Sequence, residues 1–351
     1  MKIVELSINM AMDVEQILNG GYYPLKSFHN KKDLESVLTK MKLTNGEIWP
    51  IPILFPISNN LEVKENERIL LKFNNENLAT LKISSIFKFN IDKIIQSLFG
   101  TKNKTHPGVF EMKKWSNQFI TGNLQRRGDL HKILKINALK PTEVKKKIQK
   151  NKWNTVVGFH TRNPPHRAHE FLHKSTLEMV DGILIHPVIG LKKSGDFSKE
   201  AIIEGYKEYI KNYLPEKNVI FTPLLTYSRY AGPKEAIFTA IIRRNYGCTH
   251  FIVGRDHTGV KKFYGKYDSQ KIFKKTDVDV TILNFDEPYF CKKCNQITTE
   301  KTCPHKKTHY VSISGTLIRK AIKERNGKIP DYIIRKEVLE KLQSIKNPIV
   351  D

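Results

Sequence analysis

The sequence predicts an α/β protein, and three observations carry that expectation. From residue 154 onward, short apolar runs alternate with helix-length amphipathic segments, the order that builds a parallel sheet covered on both faces. Before that point, apolar runs such as EIWPIPILFPI and RILLKF are separated by Asn- and Gly-bearing turns, which reads as a β-rich unit resembling a small mixed barrel. Late in the chain, Cys291, Cys294 and Cys303 crowd one short segment followed by His305 and His309, a spacing suited to a metal-pinned lobe. The expected division is residues 1–150 as a β-rich N-terminal domain, 151–288 as a Rossmann-like parallel-sheet domain and 289–351 as a metal-bearing, helical C-terminal region.

The elements follow in order. LKPTEVKKKIQKNKWN, 139 to 154, is a charged helical connector. Strand-like NTVVGF leads to a helix from about Arg167 to Val180, then to strand GILIHPV. A second helix spans about Lys199 to Leu214 and precedes strand NVIFTPLL; a third runs from about Pro233 to Tyr246, followed by strands THFIVG and DVTILNF. Sheets of this kind bind ligands at the carboxyl ends of their strands. There are no internal repeats and no low-complexity segments.

Length and composition bound the rest. At 351 residues the chain suits two or three domains, and its 39% apolar content with periodic segments throughout reads as folded. No run of about 18 apolar residues exists, and the N-terminus lacks the layout of a signal peptide. Clustered cysteines suit metal better than disulfides, so a cytoplasmic protein is expected. The net charge of +25 would attract polyanions or steer anionic substrates. Its lysines are scattered (VKKKIQKNK, HNKKD, GLKKSG) and form no stripe interleaved with aromatics, so they read as solvated surface, and specific nucleic-acid binding is not expected.

Three motifs sit where a parallel sheet would place a site. FHTRNPPHRAH follows the first strand, VGRDHTGVKKFYG follows the fourth, and SISGTLIRKAI opens a late helix with Ser314 at its N-cap and Gly315 allowing close approach of a ligand. Loops of Arg, His, Asn and Thr with exposed N–H groups, joined by the helix N-terminus at Ser314, Gly315 and Thr316, suit a phosphate-bearing ligand. His166 and His169 lie one helical turn apart and share a face. A zinc pair is disfavoured there, because a bound cation and the nearby guanidiniums would repel. Two readings remain: helix-start histidines making local hydrogen bonds, or imidazole donors to phosphate oxygens in nucleotidyl transfer. The segment TYSRYAGPKEA, with Tyr227, Ser228, Arg229 and Tyr230, either closes over a nucleotide or caps the helix from Pro233. Cys248 stands alone and reads as a core thiol. Asp129, Asp181 and Asp196 show no partner spacing for acid–base work. Cys291, Cys294 and Cys303, with either His305 or His309, match a closed structural zinc site.

TRNPPHRAHE, VGRDHTG with FYGKYDSQ, and ISGTLIR resemble signature segments of the ATP sulfurylase (sulfate adenylyltransferase) family. The first and last also resemble the H-x-G-H and I-S-S-T elements of related nucleotidyltransferases. GGYYPLKSF and GEIWPIPI resemble that family's N-terminal PUA-like domain, and CKKCNQITTEKTCPH resembles the zinc insert of its bacterial and archaeal single-function members. The resemblance implies that ATP, accompanied by Mg²⁺, reacts with sulfate to give adenosine 5′-phosphosulfate and pyrophosphate, in a protein holding structural Zn²⁺. It assigns Thr161, Arg162 and Asn163 to the catalytic loop, and His166 and His169 to the nucleotide phosphates. Sulfate would lie at His160, Arg162 and Thr258, and the nucleotide would also contact Gly254, Arg255, Asp256 and His257, with His160 shared. Two residues depart from the family: His160 stands where Gln is usual, and Thr258 where Ala is common. Both add polarity beside an oxyanion and read as tuning. A homo-oligomer, a dimer, is expected. Other readings are an adenylyltransferase with a different oxyanion or organic-phosphate acceptor, and an RNA-binding protein. The latter leaves the phosphate-type motifs at strand ends unexplained.

Overall fold

A computed structural model describes residues 1–58, 60–190, 192, 194–255, 257, 263–324 and 329–350. Its first sheet grows from alternation: in β3 (Arg68–Phe73), Ile69, Leu71 and Phe73 point inward while Arg68 stays exposed. The sheet runs in the order β1 (Lys2–Glu5), β3, β4 (Glu76–Lys88), β5 (Gln118–Arg126), β2 (Phe55–Pro56). Only β1 and β3 pair in parallel; the other pairs are antiparallel. Helices α1 (Ile8–Leu18), α2 (Lys31–Lys40) and α3 (Ile91–Phe99) start at Ser7, Asn30 and Asn90, whose side chains accept backbone N–H bonds. Short α4 (Pro107–Met112) and α5 (Leu130–Ile133) follow. The β-rich expectation for this region holds. The connector is helical as α6 (Pro141–Lys150).

The second sheet is wholly parallel, ordered β10 (Thr281–Asn284), β9 (His250–Val253), β6 (Val156–Thr161), β7 (Gly182–Pro187), β8 (Val219–Phe221). Its five strands are those expected. β8 is shorter than NVIFTPLL because Pro223 has no N–H to give the ladder; pairing resumes only as the bridge between Val188 and Leu224. Helix α7 (Arg167–Leu177) follows β6 and α8 (Lys199–Tyr213) follows β7. Val157, Phe159 and Ile185 from the strands pack with Leu172 of α7 and with Ile202, Tyr206 and Tyr209 of α8. Strand order turns back at β6 and β9, and the carboxyl ends of such a pair border the usual binding crevice.

Past the sheet, β11 (Tyr289–Cys291), β12 (Gln296–Thr298) and β13 (Tyr310–Ser312) make a small antiparallel sheet. Helices α9 (Pro233–Asn245), α10 (Asp268–Lys271), α11 (Gly315–Lys323) and α12 (Lys336–Gln343) complete the fold. Near the C-terminus, Val350 N–H bonds the Asp196 carbonyl at 2.8 Å and Gly195 N–H bonds the Val350 carbonyl at 2.8 Å, which straps down the loop between β7 and α8.

The chain divides into two compact units that interleave along the sequence. One comprises Met1–Lys145, Leu225–Gly247 and Arg255–Val280; the other comprises Lys146–Leu224, Cys248–Gly254 and Thr281–Asp351. Helix α9 thus joins the unit of the first sheet. There the Phe238 ring lies 5.2 Å from Tyr22 and 5.5 Å from Trp49, and Asn245 donates to the Gly21 and Tyr23 carbonyls. Among the described residues no helix is long and apolar enough to cross a membrane.

Candidate active site and metal centre

In the parallel-sheet unit, β6 delivers His160 and Thr161 to its carboxyl end, and Arg162 and Asn163 begin the loop. Thr161 Oγ1 exchanges two 3.2 Å hydrogen bonds with the backbone of Asn163, folding the loop back on its strand. Pro164 and Pro165 are buried against α8. A Cβ on Gly205 would stand 3.4 Å from the Pro164 ring and 3.3 Å from the Pro165 ring, a tight contact that glycine relieves. The proline pair stiffens the turn that presents Arg162.

A helix and a further loop bring charge to the same unit. Asn163 Oδ1 accepts from an Arg319 guanidinium nitrogen at 3.4 Å, and Arg319 lies over the Phe197 ring at 5.0 Å. Lys192, in the loop after β7, donates to the Val188 carbonyl at 2.8 Å. Burial holds Lys192 down at about 8; Asp196 opposes the fall and Arg162 adds to it. Arg319 is lowered for the same reasons, burial first, with Asp196 opposing and Arg162 adding. Arg162 therefore acts on both Lys192 and Arg319, and so does the Asp196 carboxylate. Ser314 holds the N-cap position of α11, although its side chain makes no capping bond. A Cβ at Gly315 would stand 3.7 Å from Phe197, so that helix start borders the cation cluster, while Thr316 is exposed.

His166 is the N-cap of α7, its Nδ1 accepting the His169 N–H at 3.4 Å. The two rings stack with centroids 3.7 Å apart, and His173 continues the column 6.3 Å beyond His169. The local hydrogen bond and the shared face are thus both present. His169 Nδ1 lies 3.3 Å from the Tyr206 hydroxyl, and His173 Nδ1 lies 3.3 Å from that of Tyr209. Burial pushes His166 down to about 4 and His173 to about 3, and His169 falls well below the ordinary histidine range from burial and its two histidine neighbours. The column is neutral at pH 7, so the positive charge here is that of Arg and Lys. Neutral imidazoles still donate one hydrogen bond each. Glu170 fixes the start of α7 through Lys174 at 2.8 Å and Arg335 at 2.8 Å.

The sequence alone missed Lys192, Arg319 and Tyr206. Arg319 had a signal, since it lies four residues from Gly315 and so on the same helical face. Lys192 had none, because GLKKSG reads as surface.

Of the motif after β9, Gly254 ends the strand in the parallel-sheet unit, whereas Arg255 and His257 belong to the other unit. His257 contacts Thr239 Oγ1 and is held at about 3, by burial and then by Arg243. Asp256 and Thr258 lie outside the described residues. The TYSRY segment is buried in the first-sheet unit: Arg229 pairs with Asp13, lies 4.2 Å from the Tyr227 ring, and its N–H donates to Glu235 at 2.9 Å. That places it against α1 and α9. Cys248 is buried. Asp181 accepts from Asn154 and Thr155, and Asp129 caps α5.

In the small sheet, Cys291, Cys294, Cys303 and His305 form a cluster that could hold a metal ion, their ligand atoms all within 4.8 Å of one another. His305 Nδ1 lies 3.5, 3.1 and 3.6 Å from the three sulfurs, and Cys294 and Cys303 sulfurs are 3.6 Å apart. His309 stands outside this group, its ring 6.1 Å from that of His305. Of the two candidate histidines, the geometry selects His305.

A family model described as ATP-sulfurylase matches residues 136–345, and one described as a PUA-like domain matches 1–127. The chain is 38% identical to the sulfate adenylyltransferase of Pyrococcus abyssi over 99% of its own length and 92% of that protein's. It is 37% identical to the Cenarchaeum symbiosum enzyme of the same name, covering 100% of this chain and 94% of that one. With the Deinococcus radiodurans sulfate adenylyltransferase the identity is 35%, over 97% and 88%. Among solved structures, a hexameric APS kinase from Thiobacillus denitrificans superposes with a TM-score of 0.75 at 19% identity. This chain is covered to 99% and spans 64% of that one; at this identity the likeness concerns the fold.

Proposed function

The chain belongs to the ATP sulfurylase family and is a sulfate adenylyltransferase, and from that premise we propose how its residues join ATP and sulfate into adenosine 5′-phosphosulfate and pyrophosphate. Sulfate is already an anion and needs no deprotonation to attack the α-phosphorus in line. No serine, cysteine or carboxylate base is required. The protein must bring two anions together and offset their repulsion, and positioning of this kind can lower a barrier by roughly 7–11 kcal/mol.

The observation that carries this reading is the cation cluster at the ends of β6 and β7. Arg162 holds the sulfate, since a planar guanidinium donates two hydrogen bonds and stays charged. His160 and Thr258 border the same oxyanion. Thr161 and Asn163 hold the loop in shape, and Asn163 orients Arg319. His166 and His169 donate to the nucleotide phosphates as charge moves onto the leaving pyrophosphate. Gly254, Arg255, Asp256 and His257 line the nucleotide, and Ser314, Gly315 and Thr316 offer it the start of α11. ATP enters as its Mg²⁺ complex.

The metal of the Cys₃His site is zinc in this reading. Tetrahedral zinc, with bonds of about 2.3 Å to sulfur and about 2.0–2.1 Å to nitrogen, sets ligand atoms roughly 3.6–3.8 Å apart, close to the separations of 3.1–3.6 Å found here. With four protein ligands its role is structural, pinning the segment that leads to α11. Residues 1–150 form the PUA-like part, 151–288 the catalytic part and 289–351 the zinc-bearing part of a cytoplasmic homodimer.

Sulfate-dependent exchange of labelled pyrophosphate into ATP tests the assignment. Arg162→Ala removes the bidentate anchor for one substrate, so exchange should nearly vanish while MgATP binding persists in part. Wild-type exchange rates in Arg162→Ala would move the oxyanion site to another loop.

A further inference from the structure

We propose that Tyr206 is a positioning residue for the adenylyl transfer: its hydroxyl holds the His169 imidazole by Nδ1 and so leaves Nε2 to face the nucleotide phosphates. The inference rests on the sulfate adenylyltransferase reading and extends it to a residue outside the three motifs.

The geometry of two neighbouring helices carries it. Tyr206 stands on α8, apart from the strand-end motif in sequence, and its hydroxyl lies 3.3 Å from His169 Nδ1. The phenol is itself fixed. Its ring is fully buried and stacks on Phe221 at 5.8 Å, and the Thr161 side chain bonds the same hydroxyl. Its neighbour Gly205 lies against the Pro164 and Pro165 rings, so adjacent residues of α8 meet both the proline turn and the imidazole that follows it. His166 stacks on the His169 ring at 3.7 Å, and Phe159 meets that ring edge-to-face at 5.1 Å. Packing thus sets the plane of the imidazole, and the hydroxyl sets which nitrogen faces α8.

Hydrogen-bond chemistry gives this contact its consequence. A neutral imidazole has one N–H and one lone pair, whereas a phosphate oxygen only accepts. For His169 to donate to phosphate, the nitrogen facing the ligand must carry the proton and the other must accept. A hydroxyl can supply that donor, and burial keeps the Tyr206 phenol protonated. The Pro164 carbonyl also bonds this ring. As an acceptor it competes with phosphate for the single N–H, while the hydroxyl secures the other nitrogen.

One turn further on, the same two helices repeat the contact away from the ligand. The Tyr209 hydroxyl lies 3.3 Å from His173 Nδ1, but His173 is fully buried whereas His169 is only partly so. A tyrosine that served packing alone would do no more for His169 than Tyr209 does for His173. The repeat is therefore an internal control.

The test measures sulfate-dependent pyrophosphate release by the full-length wild type, Tyr206→Phe, Tyr209→Phe, His169→Ala, and Tyr206→Phe combined with His169→Ala. Each tyrosine substitution keeps the ring and removes one hydroxyl, so both should lower the unfolding midpoint to a similar extent. Tyr206→Phe alone should also lower kcat, by about 3–10-fold, the effect of one lost hydrogen bond. KM for ATP and for sulfate should stay within about twofold of wild type. In the His169→Ala background the same change should cost nothing further, since its effect passes through the imidazole. The proposal is overturned if Tyr206→Phe keeps wild-type kcat or if Tyr209→Phe loses as much. It is also overturned if the loss persists undiminished without His169, which would route it through Thr161. Should the wild type itself show no sulfate-dependent release, the activity assignment falls separately. Nitrogen NMR shifts of histidine-labelled protein, assigned with His169→Ala, then decide the positioning by themselves: Tyr206→Phe should move the His169 Nδ1 resonance away from that of a hydrogen-bonded acceptor, and an unchanged resonance sinks the idea.

Discussion

Replacing Asp13 with alanine should destabilise the unit built on the first sheet by about 3–5 kcal/mol, the cost of leaving one partner of a buried ion pair uncompensated. Asp13 and Arg229 are 5% and 8% exposed. The carboxylate pairs with the guanidinium and accepts from the Tyr22 and Tyr227 hydroxyls at 3.1 and 2.9 Å. Arg229 also reaches the Tyr22 hydroxyl at 3.1 Å and lies 4.7 Å from the Phe238 ring. Burial raises the Asp13 carboxyl above its ordinary range, against the pull of Arg229, so the pair depends on both charges being present. For a unit of about 150–250 residues, each kcal/mol moves the midpoint by about 2–4 °C, giving a fall of about 6–20 °C. Urea unfolding followed by tryptophan fluorescence reads it directly, because Trp49 is fully buried beside Tyr22 and Phe238. Asp13→Ala combined with Arg229→Met removes both charges and should recover a large part of the loss. If Asp13→Ala unfolds within about 1 kcal/mol of wild type, the pair is hydrated in solution and the reasoning from burial is wrong.

Two other outcomes follow from the geometry. The purified protein should contain about one zinc per chain by elemental analysis; His305→Ala should lose the metal and His309→Ala should keep it, and the reverse pattern would move the fourth ligand. Stability should also fall on mild acidification. His29 and His166 are held at about 4 and His173 and His257 at about 3 by burial, against about 6.5 in the unfolded chain. Between those values the unfolded state binds more protons, so stability rises with pH and is lost as pH falls from about 6.5 toward 4, by up to about 1.4 kcal/mol per unit for each histidine. A midpoint that is flat from pH 7.5 to 5 would mean that these rings are hydrated.

Much of the parallel-sheet unit was legible because its signals are local. Apolar runs such as GILIHPV can hardly be anything but buried strands, and the helices after them start at polar residues such as Ser198, which caps α8. The position of Arg162, Asn163 and the His166–His169 pair directly after β6 was legible because the strand before them and the helix after them are both local signals. What stayed hidden is what depends on distant partners. Lys192 acquires its character from Arg162 and Asp196, and nothing in GLKKSG announces a buried ammonium. His173 directly follows the apolar pair Phe171 and Leu172, and only the packing of α7 on α8 shows it as the third ring of the column. Arg229 looked as able to cover a nucleotide as to cap a helix, and its partner Asp13 lies 216 residues away. The choice between His305 and His309 needed the sulfur positions.

The interleaving of the two units bears on how the protein is made. A ribosome adding about 5–20 residues per second needs roughly 10–40 s to travel the 216 residues from Asp13 to Arg229, and longer to finish α9. Throughout that interval Asp13, Tyr22 and Trp49 have emerged without the guanidinium and the Phe238 ring that complete their surroundings. The β-rich start of the chain therefore cannot finish folding before the segment after it is synthesised, and a fragment ending near residue 145 lacks part of its own interior. Such a nascent chain has a long window of exposed apolar surface, in which a holding chaperone would find a client, and the protein resists dissection into halves at the place where its composition changes.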